Sequence, residues 1–305
     1  MGSRTDGVAS IAVVLSRDIS QFRSVVASVP ELARSSDLSV RVLSGGLTNT
    51  SYLVDTDEGQ FVVRIGCDNG PVLGIDRVRE ESAFRRAEQA GIAPELLLFT
   101  QPDGHIVTRY LVGTRSLSID EFTTPATVAR LAARLRDVHS LVSVDGRFDP
   151  YDDIRRWIDL IEARGTTLPT RLAPLLVRVK ETEHERTAVS ESELVLCHND
   201  PYHLNFLDDG VLWLIDWEYA GMGEAMYDLA GIAYMLDDDG RDLLLESYFG
   251  SVEPETRQDL DSLIPVFVCW NVVWSLVEMD GGVVGFDYLN MAEEFLDWLP
   301  DQDCG

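Results

Sequence analysis

The sequence predicts an α+β fold in two unequal lobes, a small antiparallel-sheet lobe over residues 1–110 and a larger, mainly helical lobe over 111–305. Three observations carry that expectation. Short apolar runs separated by tight-turn residues crowd the stretch from Val40 to Tyr110. Beyond Gly113 the apolar residues recur with helical spacing instead. Between the two regimes lies Leu111-Val112-Gly113, a short linker suited to a hinge.

Met1 to Gly7 is expected to be a flexible start. Ile19 to Ala33 has the spacing of a peripheral helix, with Phe22, Val25, Val26 and Val29 on one side and Pro30 as an interruption. Val40–Leu43 and Ser51–Val54 read as strands flanking the loop Ser44-Gly45-Gly46-Leu47-Thr48-Asn49. Small and hydroxyl residues let the backbone N–H groups of such a loop approach an anion closely, although Gly-Gly also serves ordinary hairpins. After the Asp57-Glu58-Gly59 turn, Phe61–Ile65 makes a third strand with Arg64 in an otherwise apolar run. Alternation along a strand allows that arginine to face solvent; its fixed charge and planar fork equally suit it to phosphate. The helix expected over Ile75–Ala90 ends at Gly91 with Pro94 just beyond, and offers Glu80 as a partner for Arg64, with Glu81 the alternative. Leu96–Phe99 and Ile106–Tyr110, joined through Pro102-Asp103-Gly104, complete five strands.

Past the linker, Pro125–His139 repeats its apolar residues at Val128, Leu131, Ala132, Leu135 and Val138, one face of a helix. Tyr151–Arg164, Leu172–Thr182, Tyr227–Leu236, Gly240–Phe249, Thr256–Gly282 and Phe286–Leu299 are further helices.

Leu194 to Gly221 holds the densest chemistry. An apolar run ends at Cys197, His198-Asn199-Asp200 follows, and Asn205 comes five residues after Asp200. The hairpin-like turn Asp208-Asp209-Gly210 leads to a second apolar run, Val211–Ile215, which ends on Asp216. Two short buried strands are therefore expected to present Asp200, Asn205 and Asp216 at neighbouring ends. Asp and Asn favour turns without any function. Phosphoryl transfer, however, needs a carboxylate to orient and deprotonate a hydroxyl and hard oxygen ligands for Mg²⁺. The spacing His-x-Asp-x-x-x-x-Asn, then a strand ending in Asp, parallels the kinase catalytic loop and its metal-binding Asp. On that pattern Asp200 is the base, Asn205 and Asp216 hold Mg²⁺, and Arg64 grips the phosphates of ATP under the loop of Ser44, Gly45, Gly46, Thr48 and Asn49. Backbone groups between Thr108 and Leu111, around Tyr110, are then placed to meet the adenine edge.

Charge narrows the partners. Asp and Glu number 52 against 25 Lys and Arg, a net charge of −27, and Lys180 is the one lysine. Such a field repels nucleic acid and anionic membrane, so neither is an expected partner. It is compatible with a salt-rich cytoplasm or with a cationic substrate. Cys67, Cys197, Cys269 and Cys304 form no CxxC pair, which argues against a thiolate metal site and for reduced thiols. No uninterrupted run of eighteen apolar residues occurs, and a soluble cytoplasmic protein is expected.

From Val40 to Leu299 the chain resembles the aminoglycoside phosphotransferase and choline kinase superfamily. His-Asn-Asp-Pro-Tyr-His-Leu-Asn (198–205) and Leu-Ile-Asp-Trp-Glu-Tyr-Ala-Gly (214–221) match its catalytic and metal segment. Phe61-Val62-Val63-Arg64-Ile65, Arg79-Glu80, Gly91-Ile92-Ala93-Pro94, Tyr227-Asp228-Leu229-Ala230, Trp274-Ser275-Leu276 and Gly285-Phe286-Asp287-Tyr288-Leu289 point to the choline kinase branch. The resemblance implies the two-lobe protein-kinase fold, an ATP- and Mg²⁺-dependent kinase, and a small, cationic alcohol as acceptor. It implies His198 as a buried organiser of the catalytic loop. Glu218 becomes either a second metal ligand or an exposed strand-end carboxylate. Tyr219, Trp270, Trp274, Phe286 and Tyr288 become candidates for a cage around a quaternary ammonium, or else core aromatics. Asn271 stands three residues before Trp274, where choline kinases tend to have tryptophan, and Trp270 is displaced by one position. Aminoglycoside, thiamine and sugar kinases share the same catalytic residues and remain alternatives, as does a catalytically silent nucleotide-binding scaffold.

Overall fold

The computed structural model describes residues 16–43, 45–186 and 193–299; Met1 to Gly7, Ser44 and Cys304 lie outside the described residues. Strands β1 (Leu38–Leu43), β2 (Thr50–Thr56), β3 (Gly59–Ile65), β4 (Leu96–Phe99) and β5 (Ile106–Arg109) form one antiparallel sheet in the order β1-β2-β3-β5-β4. Helix α1 (Ser16–Ser28) and the single turn α2 (Pro30–Ala33) lie against it. The interruption expected at Pro30 divides this stretch into α1 and α2, because Val29 is extended (φ −103°, ψ 116°), as a residue preceding proline prefers.

Period-2 alternation decides where Arg64 goes. Phe61, Val63 and Ile65 are buried with Val25, Val29 and Leu32 in a small core under α1, so Arg64 must project from the opposite face of the sheet. After β3 come α3 (Gly70–Leu73) and α4 (Arg77–Gln89), and on that face Arg64 meets Glu80 of α4. Asp76 starts α4 by accepting from Val78 N at 3.0 Å and Arg79 N at 3.1 Å.

The remainder contains β6 (Arg115–Ser116), α5 (Ile119–Phe122), α6 (Pro125–His139), α7 (Pro150–Arg164), α8 (Leu172–Arg186), β7 (Val195–Cys197), β8 (Phe206–Asp208), β9 (Leu212–Leu214) and β10 (Gly221–Gly223). Helices α9 (Ala225–Ala233), α10 (Asp238–Phe249), α11 (Pro254–Glu278) and α12 (Tyr288–Asp297) follow. One large apolar core runs from Ala83, Phe84 and Ile92 through the helices to Phe295, continuous from the sheet side into the helical lobe.

Two details differ from the sequence expectation. The run ending at Cys197 does not pair with Val211–Ile215. Instead β7 pairs with β10, and the hairpin is β8–β9, whose turn holds Asp209 and Gly210. The cause is the intervening loop. Asn199 takes a left-handed φ of 65°, Pro201 has no N–H to give a ladder, and His203–Asn205 coils into a short 3₁₀ turn. Second, α11 contains an eighteen-residue window of mean hydropathy 1.7, long and apolar enough to cross a membrane by length and composition. That window is 89% buried by the protein itself, and α11 is the central helix of the lobe.

Candidate active site

One cleft between the sheet and the helical lobe collects most of the residues singled out from the sequence. Its walls include Gly45, Gly46, Thr48, Asn49, Arg64, Asp200, Asn205, Asp216, Glu218, Tyr219, Trp270 and Trp274.

On the sheet side, Arg64 donates to Glu80 and, at 3.0 Å, to Asp216 Oδ1. Glu81 is engaged elsewhere, with Arg85 at 2.7 Å and Gln101. Burial weakens the charge on Arg64, but Glu80, Asp216 and Glu218 outweigh it and drive its pKa further up, so it stays a cation. A second arginine that the sequence did not single out completes the network. Arg77 Nη1 donates to Glu80 Oε2 at 2.6 Å and lies 3.4 Å from Glu218 Oε2. The backbone makes room for it at Gly104, where an added Cβ would lie 2.3 Å from Arg77 Nε.

The residues of the loop from His198 to Asn205, and Asp216 beyond it, are held by backbone geometry. Asn199 and Asp216 are the non-glycine residues with positive φ among those described, 65° each, a conformation that side chains rarely adopt without tertiary support. At Asn199 buried Asp228 supplies that support, accepting from His198 N at 2.8 Å, from Asn199 N at 2.6 Å and bonding His139 Nε2 at 2.9 Å. His198 is fully buried, and burial lowers its pKa, leaving the ring neutral. Its Nδ1 accepts from Asp200 N at 3.3 Å while its Nε2 faces Ile215 O at 3.0 Å, so one imidazole ties the residue before Asp216 to Asp200.

Asn205 Nδ2 donates to Asp200 O at 3.0 Å and to Asp200 Oδ2 at 2.9 Å, which leaves its Oδ1 as an oxygen donor toward the cleft. Burial first, then Asp216 and Glu218, push the Asp200 carboxyl well above the usual carboxylate range. Glu218 is not the exposed strand-end carboxylate allowed for from the sequence. It is 4% exposed, accepts from Asn49 Nδ2 at 2.9 Å, and is pushed up to about 7 by burial and Asp216 against the pull of Arg64 and Arg77. Asn49 Oδ1 in turn accepts from Cys67 N at 3.1 Å. Three carboxylates and a side-chain amide oxygen around one cleft are a hard-oxygen donor set, the type that Mg²⁺ takes and a soft metal does not.

The opposite wall is aromatic. Trp274 Nε1 donates to Tyr219 Oη at 2.8 Å, and Trp270 stands edge-on to Tyr219 with ring centroids 4.7 Å apart. Trp270 Nε1 donates to Asp153 at 3.2 Å. Tyr202, Asn271, Met291 and Phe295 join this wall. The amphipathic pattern of α12 was the available signal for Met291 and Phe295, but it could not show which neighbour the face meets. Phe286 and Tyr288 are not part of the wall. Phe286 is 41% exposed, and Tyr288 is buried behind Trp274. The Tyr288 hydroxyl donates to Leu47 O at 2.8 Å and accepts from Val283 N at 2.7 Å. Tyr110 also lies away from this cleft, at the end of β5, where its N donates to Gln60 O at 3.0 Å.

The phosphotransferase enzyme family model matches residues 39–263. The protein LicA of Haemophilus influenzae is 27% identical over 277 residues, covering 84% of this chain and 79% of LicA. A choline/ethanolamine kinase family protein from Mesorhizobium loti superimposes with a TM-score of 0.75 at 27% identity, over 92% of each chain. A structure of LicA in complex with AMP gives a TM-score of 0.68 at 22% identity, over 97% of this chain and 98% of that one. The kinase-like architecture and the family match agree, and the chain belongs to the phosphotransferase enzyme family.

Proposed function

We propose that the protein transfers the γ-phosphoryl group of ATP to the hydroxyl of a small cationic alcohol of the choline or ethanolamine type. The observation that carries this reading is the composition of one cleft: Asp200, Asn205 and Asp216 on its floor, Arg64 on one side, and the Tyr219, Trp270 and Trp274 wall on the other. Aromatic faces attract an onium group, and a wall on the same cleft as the base sets such an acceptor beside Asp200. The similarity to a choline/ethanolamine kinase family protein supports the same acceptor class.

In this scheme the nucleotide lies between the lobe of residues 1–110 and that of 111–305, with its phosphates under the Gly45–Asn49 backbone and against Arg64. Asp200 accepts a hydrogen bond from the acceptor hydroxyl and takes its proton as the oxygen attacks the γ-phosphorus in line. The bond from that phosphorus to the β–γ bridging oxygen breaks, and ADP leaves with the electron pair. The raised proton affinity of Asp200 suits a base that must hold a proton once the hydroxyl has reacted. Asn205 and Asp216 are the residues to hold Mg²⁺, which supplies charge neutralisation at the phosphates. Glu218, gripped by Asn49 and Arg77, steadies the phosphate loop from beneath. His198 and Asp228 keep the loop in its left-handed turn. We place the enzyme in the cytoplasm, in keeping with the free thiols of Cys67, Cys197 and Cys269.

A panel of choline, ethanolamine, thiamine and aminoglycosides, assayed for ADP release at low and high salt, tests the assignment. Turnover greatest with choline or ethanolamine is expected; turnover confined to thiamine or an aminoglycoside overturns it.

A further inference from the structure

Four carboxylates among the described residues are buried almost completely: Glu80, Glu218, Asp228 and Glu278. Three are well partnered. Glu80 lies between two arginines, Glu218 accepts from Asn49 and faces Arg77, and Asp228 takes two backbone N–H groups and His139. Glu278 differs. Its Oε1 accepts from the neutral amide of Asn69, while its buried Oε2 has no hydrogen-bond partner. Arg164, whose charge reaches it, is occupied with Val277 O and with Asp280 at 3.3 Å. In its ionised form a buried carboxylate left this way is costly, and it is relieved either by taking up a proton or by a nearby cation.

The position of Glu278 shows where such a cation comes from. It stands four residues after Trp274 on α11, hence on the same side one turn further on. Next to it, a Cβ added at Gly282 would lie 2.1 Å from Tyr288 Oη and 2.8 Å from Glu278 O, so Tyr288 seals this end of the wall against the α11 terminus. Glu278 acts electrostatically on the hydroxyls of both Tyr219 and Tyr288, on either side of Trp274. It does not line the cleft.

We propose that Glu278 is a specificity-determining residue: a charge set behind the aromatic wall that favours a cationic acceptor over a neutral alcohol of the same shape. This rests on the cationic-alcohol reading above. The aromatic faces meet the onium group, and Glu278 adds a field that needs no contact. Over a separation on the order of 10 Å, at the effective dielectric of a protein, such a field is worth about tenfold in binding.

The test compares choline with its uncharged isostere, in which carbon replaces the quaternary nitrogen, by the ratio of their kcat/KM values. Glu278→Gln keeps an acceptor for Asn69 and removes the charge, so the ratio should fall about tenfold. A purely structural role lowers both substrates alike and leaves the ratio unmoved, which overturns the proposal. Asn69→Lys, which sets an ammonium beside Glu278, is an independent route with different folding demands and must lower the ratio too. A wild-type enzyme that phosphorylates no cationic alcohol removes the functional reading and this inference together. A wild-type preference for the cation that survives both variants overturns this inference alone.

Discussion

On the polar side of the cleft every group is fixed by a direct partner: Arg64 by Glu80 and Asp216, Glu218 by Asn49 and Arg77, Asp200 by Asn205 and His198. On the aromatic side the polar tips are tied to the protein as well, Trp270 to Asp153 and Trp274 to Tyr219, while the ring faces stay available. The first half is a preorganised electrostatic device, in which a single lost partner leaves a buried charge exposed to no compensation. The second is a packed wall, in which a lost ring removes area and a quadrupole but strands no charge. The two halves should therefore fail in different ways.

The largest expected effect is on the polar side. Asp200→Asn should lower kcat by about a thousandfold while nucleotide affinity, measured by titration, stays nearly unchanged; wild-type turnover in this variant would remove Asp200 from the chemistry. Next comes Arg64→Ala, which leaves Glu80 with Arg77 alone and should both raise the KM for ATP by more than about tenfold and lower the melting temperature, since one partner of a buried pair is lost. A change confined to the acceptor KM would show that Arg64 does not face the nucleotide.

On the aromatic side the effects are smaller and more selective. Trp274→Ala should raise the acceptor KM about tenfold with little change in that for ATP. Equal rises for both substrates would mean that Trp274 is simply core, and the contrast between the two halves would collapse.

The smallest effect is on stability and depends on pH. Burial, opposed by Asn69 and Arg164, pushes the Glu278 carboxyl from 4.5 up to about 7. The folded chain then binds more protons than the unfolded one between those values, so stability from this group is complete at lower pH and lost as pH rises toward 7. Glu278→Gln cannot ionise. Its melting temperature should exceed that of wild type by roughly a few degrees above about pH 7, with the gap closing below about pH 4.5. A gap that does not change with pH would show that Glu278 stays in one protonation state.

How much was legible follows the same division. Arg64 was readable because strand alternation allows two faces and the apolar neighbours Val63 and Ile65 claim one of them. Asp200, Asn205 and Asp216 were readable because they sit within seventeen residues and their spacing is set by local chain geometry. The pairing of the strands around them was not. Whether β7 meets β9 or β10 depends on the left-handed turn at Asn199, which Asp228 stabilises from a helix far along the chain. Arg77 and Glu278 were equally hidden, since a charged residue on a helix is ordinarily solvated and only burial distinguishes these two.

By itself, then, the sequence determined the order of sheet and helices, the spacing of Asp200, Asn205 and Asp216 and the chemistry such residues can perform, because each is encoded over a few turns of chain. Tertiary structure alone decided that Tyr219, Trp270 and Trp274 form a wall on the cleft while Phe286 and Tyr288 do not, and that Tyr288 fastens the Gly45–Asn49 loop instead. Those aromatics come from separate elements, and which ring face is left open depends on how α11 and α12 pack, a long-range outcome that no local pattern encodes.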